Sequence, residues 1–452
     1  MNASTKTRPP YRGARWAVPG VVMVFLMLVA TPPGARGQAR TKAAFLANNG
    51  NLEGSVSSYR FNADGSLVFV DKVITGQRES IYDYEPGCNA YCLSISPNGR
   101  YLAVGHASSD DPIQQITILQ VAPDATLSVV LEYPAPDTPM DIEWINDRTL
   151  AALRTELGIT NQVVMYDFDP AGPTLTEIDR GDCNTFTTSL AVHPSRKYLY
   201  AGDSMVNAVY VFAINTDGTL TPLPTTYTGA TYPLGVVVSP DGSKLYAFGG
   251  ISSGGHAVLG YHIQPDGTLV AMAGSPFYSP GTSPKDGTFS ADGSILYVGH
   301  GTDATVRSFG IDEQTGALTY TGHMFDVGIQ GSLGDLRVLN SYLLVSDNYY
   351  DETGLYSLDA AGDGSMPANG PIVDSQGIGP REIATWPPNI GCPADFDADG
   401  EVGLSDLALM LSSYALCEGD AGYFPPADLD FDDCVDLADL AALLAAYGQG
   451  CP

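Results

Sequence analysis

The chain has 452 residues, with 51 Asp and Glu against 21 Lys and Arg, and a formal net charge of −30 at pH 7. Such an acidic balance disfavours nucleic acid, whose phosphates require clustered Lys and Arg. With 50 Gly, 32 Pro, 25 Tyr and 16% charged residues, the composition suits a large all-β body carrying a small appendage.

Residues 1–37 read as a secretory signal peptide. Lys6, Arg8, Arg12 and Arg15 form a basic lead, Ala17 to Ala30 an apolar stretch, and the run TPPGARGQA offers small residues for cleavage near Gly37 or Ala39. The apolar stretch of about fourteen residues is shorter than the roughly twenty that a spanning helix needs. The expectation is a secreted protein, extracellular or periplasmic, with no membrane span in its mature form. Removing the segment strips off basic residues only, so the mature chain is more acidic still.

From residue 42 to 388 one phrase keeps returning, clearest in Pro233 to Gly250, PLGVVVSPDGSKLYAFGG. Each copy holds a short β-rich strand, a Pro-Asp-Gly type of turn, and a second strand built on Leu-Tyr; a third strand and another Asp-Gly turn follow. Repeats of this kind predict propeller blades. Seven first strands align: Tyr91 to Ile95, Pro139 to Glu143, Thr188 to Val192, Pro233 to Val238, Lys285 to Ser290, Gly334 to Val338 and Arg381 to Trp386. The last lacks a second strand, whereas AAFLANN near the mature N-terminus is a second strand lacking a first. The two halves are expected to complete one blade, which closes the ring and removes exposed sheet edges.

These phrases resemble the seven-bladed lactonase-like propellers, which include bacterial 6-phosphogluconolactonase, and surface-protein repeats with SPDG-LYV phrases. The resemblance covers about residues 42–388 and implies an all-β, seven-bladed β-propeller. The lactonases carry a Pro-Arg-His motif entering an inner strand. The matching stretches here are Pro380-Arg381-Glu382, Pro284-Lys285-Asp286 and Pro139-Met140-Asp141. Arg381 matches the family's arginine, and a carboxylate replaces the histidine in all three, so the reading leans against an enzyme. Asp141, Asp286, Glu382, Lys285 and Arg381 are the candidates at the channel mouth, where a glycan or small molecule would bind. The catalytic alternative is a pair of carboxylates there.

Another ring of positions ends the second strands: Asn48, His106, Arg154, Asp203, Gly249, His300 and Asp347. Asn and Asp there are expected to cap the following turn, and the histidines and Arg154 to bond nearby carbonyls.

Beyond Glu382 there is no Lys, Arg or His, and the pattern turns helical. Asp395, Asp397, Asp399 and Asp406 stand at positions one, three, five and twelve of a loop, with Gly400 at the turn and Glu401 offering its carbonyl at seven. Oxygen ligands so spaced suit Ca²⁺. A second copy uses Asp428, Asp430, Asp432, the carbonyl of Cys434, and Asp439, with Asp433 in place of the glycine; it should bind more weakly. Two Ca²⁺ ions are expected. The helices that follow carry apolar faces, Leu407, Met410, Leu411 and Tyr414 in one and Leu440, Leu443, Leu444 and Tyr447 in the other, expected to bury against each other.

Paired loops of this type, each followed by one helix, resemble a dockerin, an α-helical module of EF-hand type, over residues 392–451. The resemblance implies a cohesin-like or cell-surface scaffold protein as partner. Loop positions ten and eleven, Leu404 with Ser405 and Leu437 with Ala438, depart from the small hydroxylated residues usual there.

Cysteine placement favours bridges Cys392–Cys451 and Cys417–Cys434 in this module, and Cys88–Cys92 before the second blade, leaving Cys183 odd. The functional expectation is a non-catalytic binding or display protein, attached to an extracellular scaffold through the calcium module. The alternative is an extracellular hydrolase, lactonase-like or polysaccharide-degrading, with its site at the channel mouth. The two are separated by whether Arg381, Glu382 and Asp286 converge on one ligand.

Overall fold

The computed structural model describes residues 40–448, apart from 81, 82, 84, 108–113, 136–137, 156–159, 185, 230–231, 250–254, 329–332, 349–353, 388–393, 395, 397–401, 418–419, 421 and 430–433. The signal segment, most of both calcium loops, Cys392 and Cys451 thus lie outside the described residues.

Among the described residues, the strands between Ala43 and Trp386 form seven antiparallel sheets. Six are consecutive, with inner strands Ala90–Ile95, Thr138–Trp144, Thr187–Val192, Pro233–Val238, Pro284–Phe289 and Leu333–Leu339 for blades two to seven. Blade one is composite. Its inner strand Pro380–Trp386 pairs with Ala43–Asn49, which leads on to Glu53–Phe61 and Leu67–Gln77. The two unmatched sequence halves therefore do meet, and each inner strand neighbours the next around a closed ring.

The repeated phrase has a physical reason at each position. In Ser239-Pro240-Asp241-Gly242 the glycine N–H donates to the Ser239 carbonyl, and the Asp241 carboxylate accepts the Ser243 N–H. Gly242 has φ +68°, a left-handed backbone that glycine adopts without steric penalty. The Leu-Tyr signature stitches blades together. Tyr200 of blade four donates its hydroxyl to the carbonyl of Gly267 in an outer turn of blade five, and Tyr246 of blade five donates to Gly316 of blade six. Their rings are buried, so each tyrosine fills an inter-blade seam and satisfies its polar end there. Seven apolar clusters occupy the seven seams, the one between blades seven and one built around Leu46, Tyr59, Leu344 and Ile383.

Towards the C-terminus lie two helices, α1 (Leu404–Ser412) and α2 (Leu437–Ala446). Their core repeats at a fixed offset: Ala394 with Ala427, Val402 with Val435, and Met410 with Leu443 are all buried. The expected apolar faces are narrower than the sequence suggests. Leu411, Leu444 and Tyr447 are exposed, because this sixty-residue stretch centres its core on Met410 and Leu443 and has little interior to offer. Cys417 and Cys434 form the expected disulfide. The Cys88–Cys92 bridge does not exist. Cys92 sits within an inner strand, its thiol directed at the Pro139 carbonyl of blade three, whereas Cys88 precedes that strand with its carbonyl on His106. Among the described residues no helix is long and apolar enough to cross a membrane.

Candidate functional site

The inner strands line an axial cavity of about 540 Å³. At the start of each, the pairing register slips, between Ala90 and Cys92, Pro139 and Asp141, Thr187 and Ser189, Pro233 and Gly235, Pro284 and Asp286, and Leu333 and Leu336. Blade one slips similarly opposite Leu46 to Asn48. Such bulges re-aim side chains that a regular strand would alternate between faces. Consecutive residues of one strand, Lys285 with Asp286 or Arg381 with Glu382, therefore both line the cavity. At Gly235 the strands approach so closely that a β-carbon would lie 2.4 Å from the Lys285 carbonyl oxygen of blade six.

All five candidates, Asp141, Lys285, Asp286, Arg381 and Glu382, line this cavity. The group that organises them escaped the sequence reading. Arg337 of blade seven lies 2.7 Å from Asp335, 3.5 Å from Asp286 and 3.5 Å from Glu382. Three blades thus converge on one guanidinium. Burial lowers the proton affinity of Arg337, but Asp335, Asp286 and Glu382 outweigh it and hold the group charged. Asp335 and Arg337 were missed because blade seven has no proline before its inner strand and its bulge spans an extra residue. The available signal was Asp335 itself, which falls where Asp141, Asp286 and Glu382 fall in their own blades.

Asp141, Asp335 and Glu382 hold their protons more tightly than ordinary carboxyls. Burial, then the neighbouring charges of Asp141 and Asp335, push Glu382 well above the usual carboxylate range. Burial pushes Asp335 up to about 8, with Asp286 adding to the shift against the opposing pull of Arg337. Asp335 also accepts the Ile383 N–H of blade one at 2.9 Å, and Asp141 the Leu190 N–H of blade four at 2.6 Å, so both brace blade junctions. Burial and Glu143 raise Asp141 well above its ordinary value.

The cations are placed differently. Lys285 donates to the carbonyls of Leu333 and Gly334 at 2.5 and 2.8 Å, and burial, followed by the charge of Arg381, lowers it to about 8. Arg381 lies over the Tyr91 ring, 3.5 Å from its centroid. A stacked guanidinium keeps its in-plane N–H groups for a second partner. Cys92 offers no thiolate, since burial, then Glu382 and Asp141, push its thiol well up.

The second-strand ring is structural. Asp203 accepts the Met205 and Val206 N–H groups, His106 bonds the Cys88 carbonyl and Thr117, and His300 bonds Ser279. Burial holds both histidines at about 4, neutral at physiological pH.

Of the calcium-loop candidates, Asp395, Asp397, Asp399, Glu401, Asp430 and Asp432 lie outside the described residues. Asp406 and Asp439 are buried and hold matching bonds. Asp406 accepts the N–H groups of Phe396 and Gly403, and Asp439 those of Leu429 and Asp436, at 2.6–2.8 Å. Asp428 accepts the Tyr423 hydroxyl, and Cys434 is in the disulfide.

A ring of seven sheets with convergent acid and base groups on its axis defines a β-propeller with an axial polar site. The family described as "Lactonase, 7-bladed beta-propeller" matches residues 35–258 and 236–333, more than half of the chain, and the chain belongs to it. It is 22% identical over 284 residues to a 6-phosphogluconolactonase of Yersinia pestis, covering 58% of this chain and 76% of that one. It is 28% identical over 196 residues to a 6-phosphogluconolactonase of Erwinia tasmaniensis, covering 42% and 56%. The periplasmic gluconolactonase of Pseudomonas aeruginosa shares the fold, with a TM-score of 0.59 at 18% identity over 76% of this chain and 99% of its own. These findings overturn the expectation of a non-catalytic binding or display protein. The family and the named relatives are lactonases. The missing histidine misled because whether a carboxylate at its position can serve as the acid-base group depends on burial and neighbouring charge, which the sequence does not show.

Proposed function

We propose that this chain hydrolyses the cyclic ester of a sugar lactone in the axial cavity. The observation that carries the reading is the setting of Glu382. It stands where the resembled enzymes have histidine, beside the matching arginine Arg381, and its surroundings hold its proton well above the usual carboxylate range. A carboxyl so tuned still exchanges a proton above the range where an ordinary carboxylate has lost it, which is what a general acid-base group requires.

In this mechanism ionised Glu382 takes a proton from water as its oxygen attacks the lactone carbonyl. The carbonyl π electrons move to oxygen, and the in-plane N–H groups of Arg381 stabilise that oxyanion. Collapse of the tetrahedral intermediate breaks the bond to the ring oxygen, which takes the proton back from Glu382. The product is the open hydroxy acid. Arg337 positions Glu382 and Asp286 without touching substrate.

The test is turnover of δ-gluconolactone and 6-phosphogluconolactone above the spontaneous rate. Because Glu382 acts as the ionised base and its pKa is raised, kcat/KM should climb with pH through a range where an ordinary carboxylate is already fully ionised. The climb should vanish in Glu382→Gln. Absence of turnover on both lactones refutes the assignment.

For residues 392–451 we propose two bound Ca²⁺ ions in a dockerin-like module that carries the enzyme, with export directed by residues 1–37. Support comes from the donor chemistry of Asp395, Asp397, Asp399, Asp406, Asp428, Asp430, Asp432 and Asp439, acceptor-only oxygens of the kind Ca²⁺ takes. The matching settings of Asp406 and Asp439 argue that both loops are built alike. The disulfide favours an oxidising compartment. The partner would be a cohesin-like or surface scaffold protein. Calorimetric titration of the full chain with Ca²⁺ tests the binding, and no heat at millimolar metal rejects it.

A further inference from the structure

The charges lining the axial cavity discriminate between lactones. The carboxyls are Asp141, Glu143, Asp286, Asp335 and Glu382; the bases are Arg196, Lys285, Arg337 and Arg381. A phosphate monoester carries about −1.5 to −2 charges at neutral pH and is held by cations whose N–H groups remain available to it, best by a guanidinium fork. Three of the four bases are engaged elsewhere. Arg337 is surrounded by Asp335, Asp286 and Glu382. Lys285 directs its ammonium at the Leu333 and Gly334 carbonyls. Arg196 lies in the turn after the fourth inner strand, at the far end of the cavity, where it donates to the Trp144 carbonyl at 3.0 Å with Glu143 and Asp147 as charge partners. Among the described residues only Arg381, stacked on Tyr91, is left to face a ligand anion, and the proposed chemistry uses it at the oxyanion.

A neutral polyol fits the same surroundings well. A carboxyl accepts hydrogen bonds from hydroxyl groups when ionised and both donates and accepts when protonated, and the Tyr91 ring offers an aromatic wall. The net charge of −30 repels an approaching dianion over a longer range. We infer that the axial site takes an unphosphorylated, uncharged sugar lactone and rejects its 6-phosphate, because Arg337 and Lys285 are committed to the protein's own oxygens. This rests on the lactonase reading for its chemistry and on the charge arrangement alone for its selectivity.

The experiment compares kcat/KM of the full chain for δ-gluconolactone and 6-phosphogluconolactone. The expected preference for the neutral lactone is about tenfold or more, equivalent to about 1.4 kcal/mol. Equal use, or preference for the phosphate, overturns the inference while leaving the lactonase assignment intact. If neither lactone turns over, that assignment fails and binding decides: a rise in melting temperature with neutral gluconolactam but not with 6-phosphogluconate supports the inference, and any other pattern overturns it. A gain-of-function variant makes the test independent of loss. Leu234 lines the cavity on blade five without a charge, and Leu234→Arg, checked for an unchanged melting temperature, should raise phosphate-lactone use about tenfold and alter neutral-lactone use less than about twofold. In a folded Leu234→Arg protein, an unchanged ratio counts against the inference.

Discussion

Blades four and five present the same bulged inner strand to the axis as blades six, seven and one, yet their cavity-facing positions differ in kind. On one arc stand Thr188, Ser189, Leu234 and Gly235; on the other Lys285, Asp286, Asp335, Arg337, Arg381 and Glu382. The backbone device is common to both. What separates them is side-chain chemistry alone, so the propeller is a scaffold and the charged arc is a site placed upon it. The quiet arc still works mechanically: Thr188 donates to the Leu234 carbonyl across a blade junction.

The sharpest test of this division is a matched pair of variants. Glu382→Gln should reduce kcat/KM on δ-gluconolactone by about 10²–10⁴-fold, whereas Leu234→Ala should change it less than about threefold. Comparable losses from both would erase the distinction between the arcs.

Next in size is the effect on stability. Removing the Arg337 guanidinium in Arg337→Met leaves Asp335 buried without its partner, and breaking such a pair costs about 3 kcal/mol. Thr188→Val loses one hydrogen bond to a carbonyl, about 1 kcal/mol. Denaturant unfolding midpoints measure both, and equal costs would mean that the charged cluster is not structurally coupled.

A third variant asks whether chemistry stays within the charged arc. Asp406→Ala should lower calorimetric Ca²⁺ uptake from two ions to one and leave lactone turnover within about twofold, since no step uses the C-terminal module. A parallel loss of turnover would tie the module to the active site.

The smallest expected effect is a pH slope. With Asp335 raised to about 8, the folded state binds more protons than the unfolded state from about pH 4 to 8, so this group's contribution falls as pH rises through that window. His106 and His300, lowered to about 4, act in the opposite sense, and their contribution falls as pH drops from about 6.5 to 4. The interval free of the two histidines is therefore about 6.5 to 8, where the raised Glu382 and Asp141 act in the same sense as Asp335. Asp335→Asn should flatten the decline in melting temperature across it, and an unaltered decline would show that another acid dominates.

Much of the architecture was legible because it is locally encoded. Alternating apolar residues, the Asp-Gly turns and the Leu-Tyr strands report backbone sterics and burial within a few residues of one another. Even the composite first blade followed from two fragments that each lacked the other. The Cys417–Cys434 bridge was also accessible, whereas Cys88 and Cys92 misled because closeness in sequence says nothing of where two thiols point.

By itself, the sequence determined seven repeats, their strand and turn chemistry, their closure into a ring, and the presence of Arg381, Glu382, Lys285 and Asp286 near the channel. Tertiary structure alone decided that Arg337 joins Asp286, Asp335 and Glu382, residues from three repeats lying about fifty positions apart. No local pattern carries that contact. It exists because ring closure brings equivalent positions of distant strands to a common axis, and because a register slip at each strand entrance turns successive side chains inward. The raised proton affinity of Glu382 has the same origin, since burial and neighbouring carboxyls are properties of the assembled cavity.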